Sequence, residues 1–127
     1  MAVAFIGGAG VMHWQQVPVY LHRAPVDFRK SINGLSALVE QEMGLSPFVS
    51  ALFVFACRRR NKIKVLYWDK TGFCLWYKRL EQEKFKWPKS LEHDVLLLDS
   101  EQFDWLLRGF DIQKMRAHPE KQYGTTT

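Results

Sequence analysis

The chain has 127 residues, 47% of them hydrophobic and 14% aromatic, and carries a formal charge of +5. That suffices for one domain with its own core, without disulfide or metal support, and is too apolar for a disordered tail. No stretch approaches the roughly 18–20 apolar residues of a membrane span.

The first 16 residues read as a leader. They lack the positive n-region of a signal peptide, and Gly7-Gly8 interrupts their apolar run, so a cytoplasmic location is expected. Residues 1–11 look unlike the rest, which makes Met12 a candidate start. Residues 17–112 read as a single domain and 113–127 as a frayed tail with little periodicity.

Val17 to Leu21 is a short β-rich run that Pro18 confines to a sheet edge or a strand start. Asp27 then offers an N-cap, and Phe28, Ile32, Leu35, Leu38 and Val39 recur at helical spacing up to Gly44, a left-handed stop. Gly34 inside this amphipathic helix costs about 1 kcal/mol relative to Ala. Ala51 to Cys57 is an unbroken apolar run, the mark of a strand buried on both faces. Arg58-Arg59-Arg60-Asn61 turns the chain. Lys62 to Trp68 alternates, with Ile63, Val65 and Tyr67 on one side and Lys62, Lys64, Leu66 and Trp68 on the other. Asp69-Lys-Thr-Gly72 is a tight turn, Phe73 to Leu80 alternates again, and a shorter run, Lys84 to Trp87, ends at Pro88. A linker with a short apolar run, Val95 to Leu98, leads to a second helix capped by Asp99 or Ser100. Phe103, Leu106, Leu107 and Phe110 line its inner face, with Gly109 near its stop. The whole reads as α+β: a single antiparallel β-meander sheet with an N-terminal amphipathic helix and a C-terminal helix packed on it.

Little in the chain points to catalysis. Two-metal nucleases need clustered carboxylates holding ions about 4 Å apart. Here the acids are scattered: Asp27 at a cap, Glu40 and Glu42 on a helix, Asp69 in a turn. There is no Gly-rich phosphate loop, GxSxG or HExxH, and no cofactor is implied. Cys57 and Cys74 lie in strand-like runs without CxxC spacing, and the four His are dispersed, so the cysteines read as small core residues and no metal site is expected.

The charge is the informative feature. Between Cys57 and Lys89 stand eleven Lys/Arg and three acids, a local +8; the rest of the chain has seven Lys/Arg against ten acids, summing to −3. A field this local concentrates polyanions, and nucleic acid is the first partner to consider. A hairpin about Asp69–Gly72 brings Lys78 and Arg79 back beside Lys62 and Lys64, joining them to Arg58, Arg59 and Arg60 in one strip. Trp68, Trp76 and Trp87 either offer stacking faces there or form the sheet's core; the core reading is favoured. Arg29 and Lys30, in the first turn after Asp27, oppose the helix dipole. Such a placement suggests a second role, either pairing with an acid or contacting phosphate.

The blocks VYLHRAPVDFRKSINGLSALV, LFVFACRRRNKIKVLYWDKTGFCLWYKRLE, KFKWP and SEQFDWLLRGFDI, in this order from about Val17 to Ile112, resemble the TnpB-type accessory protein of insertion-sequence 66 family transposable elements. The most specific parts are Asp27-x-Arg29-Lys30-x-x-x-Gly34-Leu35, Lys64 to Asp69 and Phe85-x-Trp87-Pro88. The resemblance implies a small protein that accompanies a separate transposase, unrelated to the long RNA-guided nucleases also called TnpB. It carries over no catalytic residues. The expected role is a non-catalytic DNA-binding accessory factor at the element's ends; the alternative is an adaptor that docks on the transposase without touching DNA. Oligomeric state is left open by the sequence.

Overall fold

A computed structural model describes residues 17–89 and 93–115. The elements follow as β1 (Val19–His22), α1 (Ile32–Gln41), β2 (Leu52–Ala56), β3 (Lys62–Asp69), β4 (Gly72–Arg79), β5 (Val95–Leu98) and α2 (Ser100–Leu107). The leader, with the alternative start at Met12, and tail residues 116–127 lie outside the described residues.

One five-stranded sheet runs in the order β4-β3-β2-β1-β5. β2, β3 and β4 form the expected antiparallel meander. The sheet as a whole is mixed, because β1 pairs with β2 in parallel, Val19 beside Leu52. The cause lies in the connection: α1 carries the chain back along the sheet, so β2 starts from the same end as β1, the arrangement parallel neighbours need. Pro18 stands just before β1, one of its two permitted places, and its carbonyl accepts from Leu52 N–H at 3.0 Å. The run Val95–Leu98 becomes an edge strand, antiparallel to β1. Lys84 to Trp87 forms no strand. Phe85 and Trp87 are buried against the sheet instead, and Phe85 N–H finds the carbonyl of Arg60 at 2.7 Å.

Each face of the sheet has its own core. On one, α1 lays Leu35, Val39 and Met43 over Phe53, Phe55 and Leu66. On the other, α2 sets Phe103, Leu106 and Leu107, with Phe85, Trp87 and Ile112, against Leu21, Val54 and Val65. β2 is buried on both faces, as its unbroken apolar run implies. The alternation of β3 also holds: Ile63, Val65 and Tyr67 join the α2-side core, and Leu66 the α1-side core. Cys57 and Cys74 are free and half-buried.

The helix ends show why some boundaries moved. Asp27 does not cap α1. The N-cap is Ser31, whose side chain makes no capping bond, and Asp27 closes a separate turn upstream, where Lys30 N–H reaches the Asp27 carbonyl at 3.0 Å. Gly34 lets this turn lie close to the helix, since a Cβ there would stand 3.1 Å from Lys30 Cβ. Gly44 (φ +65°) ends the helix as expected, with Leu45 N–H on the Val39 carbonyl at 3.0 Å. Buried His22 ties the C-terminus of α1 to β1: its Nε2 lies 2.9 Å from Glu42 Oε1 and its Nδ1 2.7 Å from the Ala24 carbonyl. At α2, Asp99 and Gln102 form a capping box. Phe110 lies outside the inner face assigned to it: it is exposed, with the Arg108 guanidinium 5.5 Å from its ring centre. Gln113 brackets the backbone of Lys89, accepting from its N–H at 3.0 Å and donating to its carbonyl at 2.5 Å.

Candidate nucleic-acid interface

The β3–β4 hairpin sets the geometry of the basic strip. Its turn is two residues long, Lys70 taking the left-handed backbone (φ +50°), and the ladder runs unbroken from Asp69 beside Gly72 to Lys62 beside Arg79. Directly paired residues share a face, so Lys62, Lys64, Tyr77 and Arg79 all stand on the α1 side of the sheet. They lie beyond the helix, on the stretch that α1 leaves open. Lys62 and Arg79 are like charges directly opposite each other, an arrangement that costs stability. Glu81 offsets part of this by accepting from Arg79 Nε at 2.9 Å.

The turn before α1 forms the opposite wall. Asp27 accepts the Arg29 backbone N–H at 2.9 Å and holds its guanidinium through Nε and Nη2, the shortest contact being 2.6 Å. These bonds from Arg29 hold the Asp27 carboxyl down at about 2, well below the ordinary aspartate value. Lys64 fastens this turn to the sheet. Its Nζ donates to the carbonyls of Phe28 (2.8 Å) and Lys30 (2.7 Å) and lies 4.9 Å from the Phe28 ring centre. Partial burial pushes its ammonium pKa down, against the opposing pull of Asp27. With the carbonyls of residues 28 and 30 taken by a side chain, the helix starts later than its apolar spacing suggests.

Between turn and sheet lies a depression of about 420 Å³, lined by Asp27, Phe28, Arg29, Lys62, Lys64 and Tyr77. A smaller one, about 270 Å³, adjoins it across Asp27 and is lined by Pro25, Val26 and Arg58. The fold thus brings Arg29, Lys62 and Lys64 into one groove, with Arg58 at its end and Arg79 alongside. Lys30 and Arg59 are exposed nearby in sequence, on the turn and on the β2–β3 loop.

Two of the expected residues stand elsewhere. Lys78 pairs with Ile63 and therefore sits on the α2 side of the sheet. Arg60, in left-handed backbone (φ +62°), turns inward. Its Nη2 donates to the Arg23 carbonyl at 3.3 Å, its guanidinium lies 5.5 Å from the Trp87 ring centre, and its Nη1 finds no partner among the described residues. Burial pushes its pKa down from the arginine value. Trp87 is buried and Trp76 packs on the α2-side core, as the core reading has it, whereas Trp68 joins neither core and meets Phe48 and Phe73 edge-on at 5.0 Å at the far end of the hairpin. The aromatics of the groove are Phe28 and Tyr77, the latter half exposed, and the charge and tryptophan patterns do not single out Tyr77. Its signal in the sequence is the alternation itself, which places it between Lys64 and the open edge.

Among the described residues no three His, Cys, Asp or Glu side chains are placed to hold a metal ion, and no helix is long and apolar enough to cross a membrane.

A small mixed-sheet protein with one basic groove is the class that fold and site define. Residues 17–117 match the model of the IS66 Orf2-like protein family, and the chain belongs to that family. Membership associates it with an accessory role in transposition. It is 36% identical over 98 residues to the uncharacterized protein y4jC of Sinorhizobium fredii, covering 77% of this chain and 83% of the relative. It is 32% identical over 112 residues to the uncharacterized protein y4hO of the same organism, covering 88% and 93%. No solved structure matches the chain.

Proposed function

We propose that this protein is a non-catalytic accessory factor of transposition that binds DNA through the groove between the 27–30 turn and the β3–β4 hairpin. The observation that carries the reading is the Lys62–Arg79 pair. A like-charge pair facing across a ladder lowers stability, and it makes sense where the charge has a polyanion to meet. Arg29, Lys30, Arg58 and Arg59 extend the same field. Lys64 and Arg60 serve the fold, and Lys78 faces away.

Six cations therefore remain for phosphates. Anisotropy titrations of a labelled duplex between about 50 and 200 mM salt are expected to give a log–log slope of roughly −5. A slope near zero overturns the reading.

Asp27 competes with phosphate for Arg29. In Asp27→Asn the amide oxygen still accepts the Arg29 N–H, while the guanidinium is freed and a negative charge leaves the groove. DNA affinity is expected to rise on the order of fivefold, about the worth of one phosphate contact near 0.1 M salt. Mild acid does not mimic the substitution. The folded-state pKa is about 2 against an ordinary 3.8, so the ion pair's stabilisation is complete above the higher value and lost only as pH falls through the lower. Affinity measured for both proteins at pH 7 and 5 checks this: the ratio between them stays constant.

The adaptor reading is favoured by one feature, the position of β4. This eight-residue strand without proline is an edge of the sheet, open to a strand from the transposase. Co-purification with the transposase that survives DNase and moderate salt supports it.

A further inference from the structure

We infer that the larger depression takes one unpaired nucleotide of a DNA single strand, its base on the Tyr77 ring and its phosphate at Arg29 and Lys62. This rests on the DNA-binding reading above and names the form of DNA.

Neither α1 (INGLSALVEQ) nor α2 (SEQFDWLL) carries a single lysine or arginine, so among the described residues no basic helix exists to enter a major groove. The cations sit on a sheet face, a turn and a loop. A duplex presents a convex backbone and keeps its base faces stacked away, whereas here Tyr77 lines a concavity of about 420 Å³, within the range of small-ligand sites. Only a base out of its stack reaches such a ring.

Tyr77 is half exposed and packs on one neighbour. Phe28 meets it edge-on at 6.3 Å and 70°. Phe28 is held in turn by the Lys64 ammonium over its ring and on its carbonyl. Flexible cations and a half-exposed aromatic thus line the same depression, the first suited to meet a phosphate and the second to stack a base. Single-strand binders combine the same two parts.

The test uses the full chain and a labelled strand of about 15 nucleotides, alone and annealed to its complement. Anisotropy is expected to show the single strand bound about tenfold more tightly than the duplex. Tyr77→Leu, which keeps an apolar side chain at the same half-exposed position, should lose that advantage, with single-strand affinity falling about tenfold. Tyr77→Phe, which keeps the ring, should retain it. Equal or tighter duplex binding, or a Tyr77→Leu variant that binds the single strand unchanged, overturns the inference and leaves DNA binding standing. Binding of neither form overturns both.

Discussion

The double variant Lys62→Glu, Arg79→Glu is expected to lower DNA affinity by roughly a hundredfold near 0.15 M salt and to flatten the salt slope by about two. Two phosphate contacts are lost, and two acids then face the backbone that the cations met. Both changes are needed. Lys62→Glu alone would sit directly opposite Arg79 and pair with it, so its effect would mix field reversal with a new cross-strand ion pair. In the double variant the facing charges are again alike, so the strand pair keeps its like-charge penalty, to which Glu81 adds a weak, solvent-screened repulsion. Arg79→Glu loses the contact with Glu81, an exposed pair worth little. Thermal unfolding should therefore move by a few degrees only. Titration against duplex and single strand, with melting curves as the control, reads both sides. Undiminished binding by a folded double variant removes the groove from the DNA interface.

How far the site could be read from the chain depended on whether its parts were local. The alternation of β3 and β4 about a four-residue turn carries the register, and with it the meeting of Lys62 and Arg79. The unbroken run of β2 carries its central position. Other features depended on contacts between distant residues. Asp27 is followed by an apolar helical period, which reads as an N-cap, but Lys64, 34 residues on from Lys30, takes the carbonyls that a helix would have used. Arg60 has two arginine neighbours and reads as one more surface cation. Its left-handed backbone turns the side chain inward, onto the Trp87 ring and the Arg23 carbonyl, neither of them near it in sequence. The sequence reads as an all-antiparallel sheet, whereas the strand–helix–strand succession of β1, α1 and β2 makes β1 parallel to β2. Four-residue strands such as β1 and β5 carry too little pattern to assign their neighbours. The short run Lys84 to Trp87 reads as a further strand, yet its aromatics cover a sheet face.

Trp87 makes that covering segment necessary, and Trp87→Ala is expected to lower stability by about 3–5 kcal/mol. The indole is buried, and its Nε1 donates to the carbonyls of Arg23 (3.1 Å) and His22 (3.3 Å), pinning the segment after β4 to the end of β1. Truncation opens a cavity, strands these carbonyls and removes the ring beside the Arg60 guanidinium. For a domain whose whole stability is of order 5–15 kcal/mol this is a large share, and for a domain of about 100 residues the midpoint of melting should fall by more than roughly 12 °C. Trp87→Phe keeps most of the packing and loses only the donor, so about 1–2 kcal/mol is expected. The milder variant is also the functional probe. Trp87 supports Arg60, and Arg60 lies in the same loop that presents Arg58 and Arg59, closing it with its own N–H on the Cys57 carbonyl at 3.0 Å. Trp87→Phe should remain folded and keep DNA affinity within about twofold. Arg60→Met should do the same, since a guanidinium turned into the protein holds no phosphate and an apolar replacement relieves its unpartnered Nη1. Arg58→Ala with Arg59→Ala, which alters only exposed side chains of that loop, should leave melting unchanged and weaken binding by on the order of tenfold. Melting curves and titrations on these variants separate what arginine does for the fold from what it does for the ligand. An Arg60→Met protein that folds but binds as poorly as the Arg58/Arg59 variant would return Arg60 to the interface.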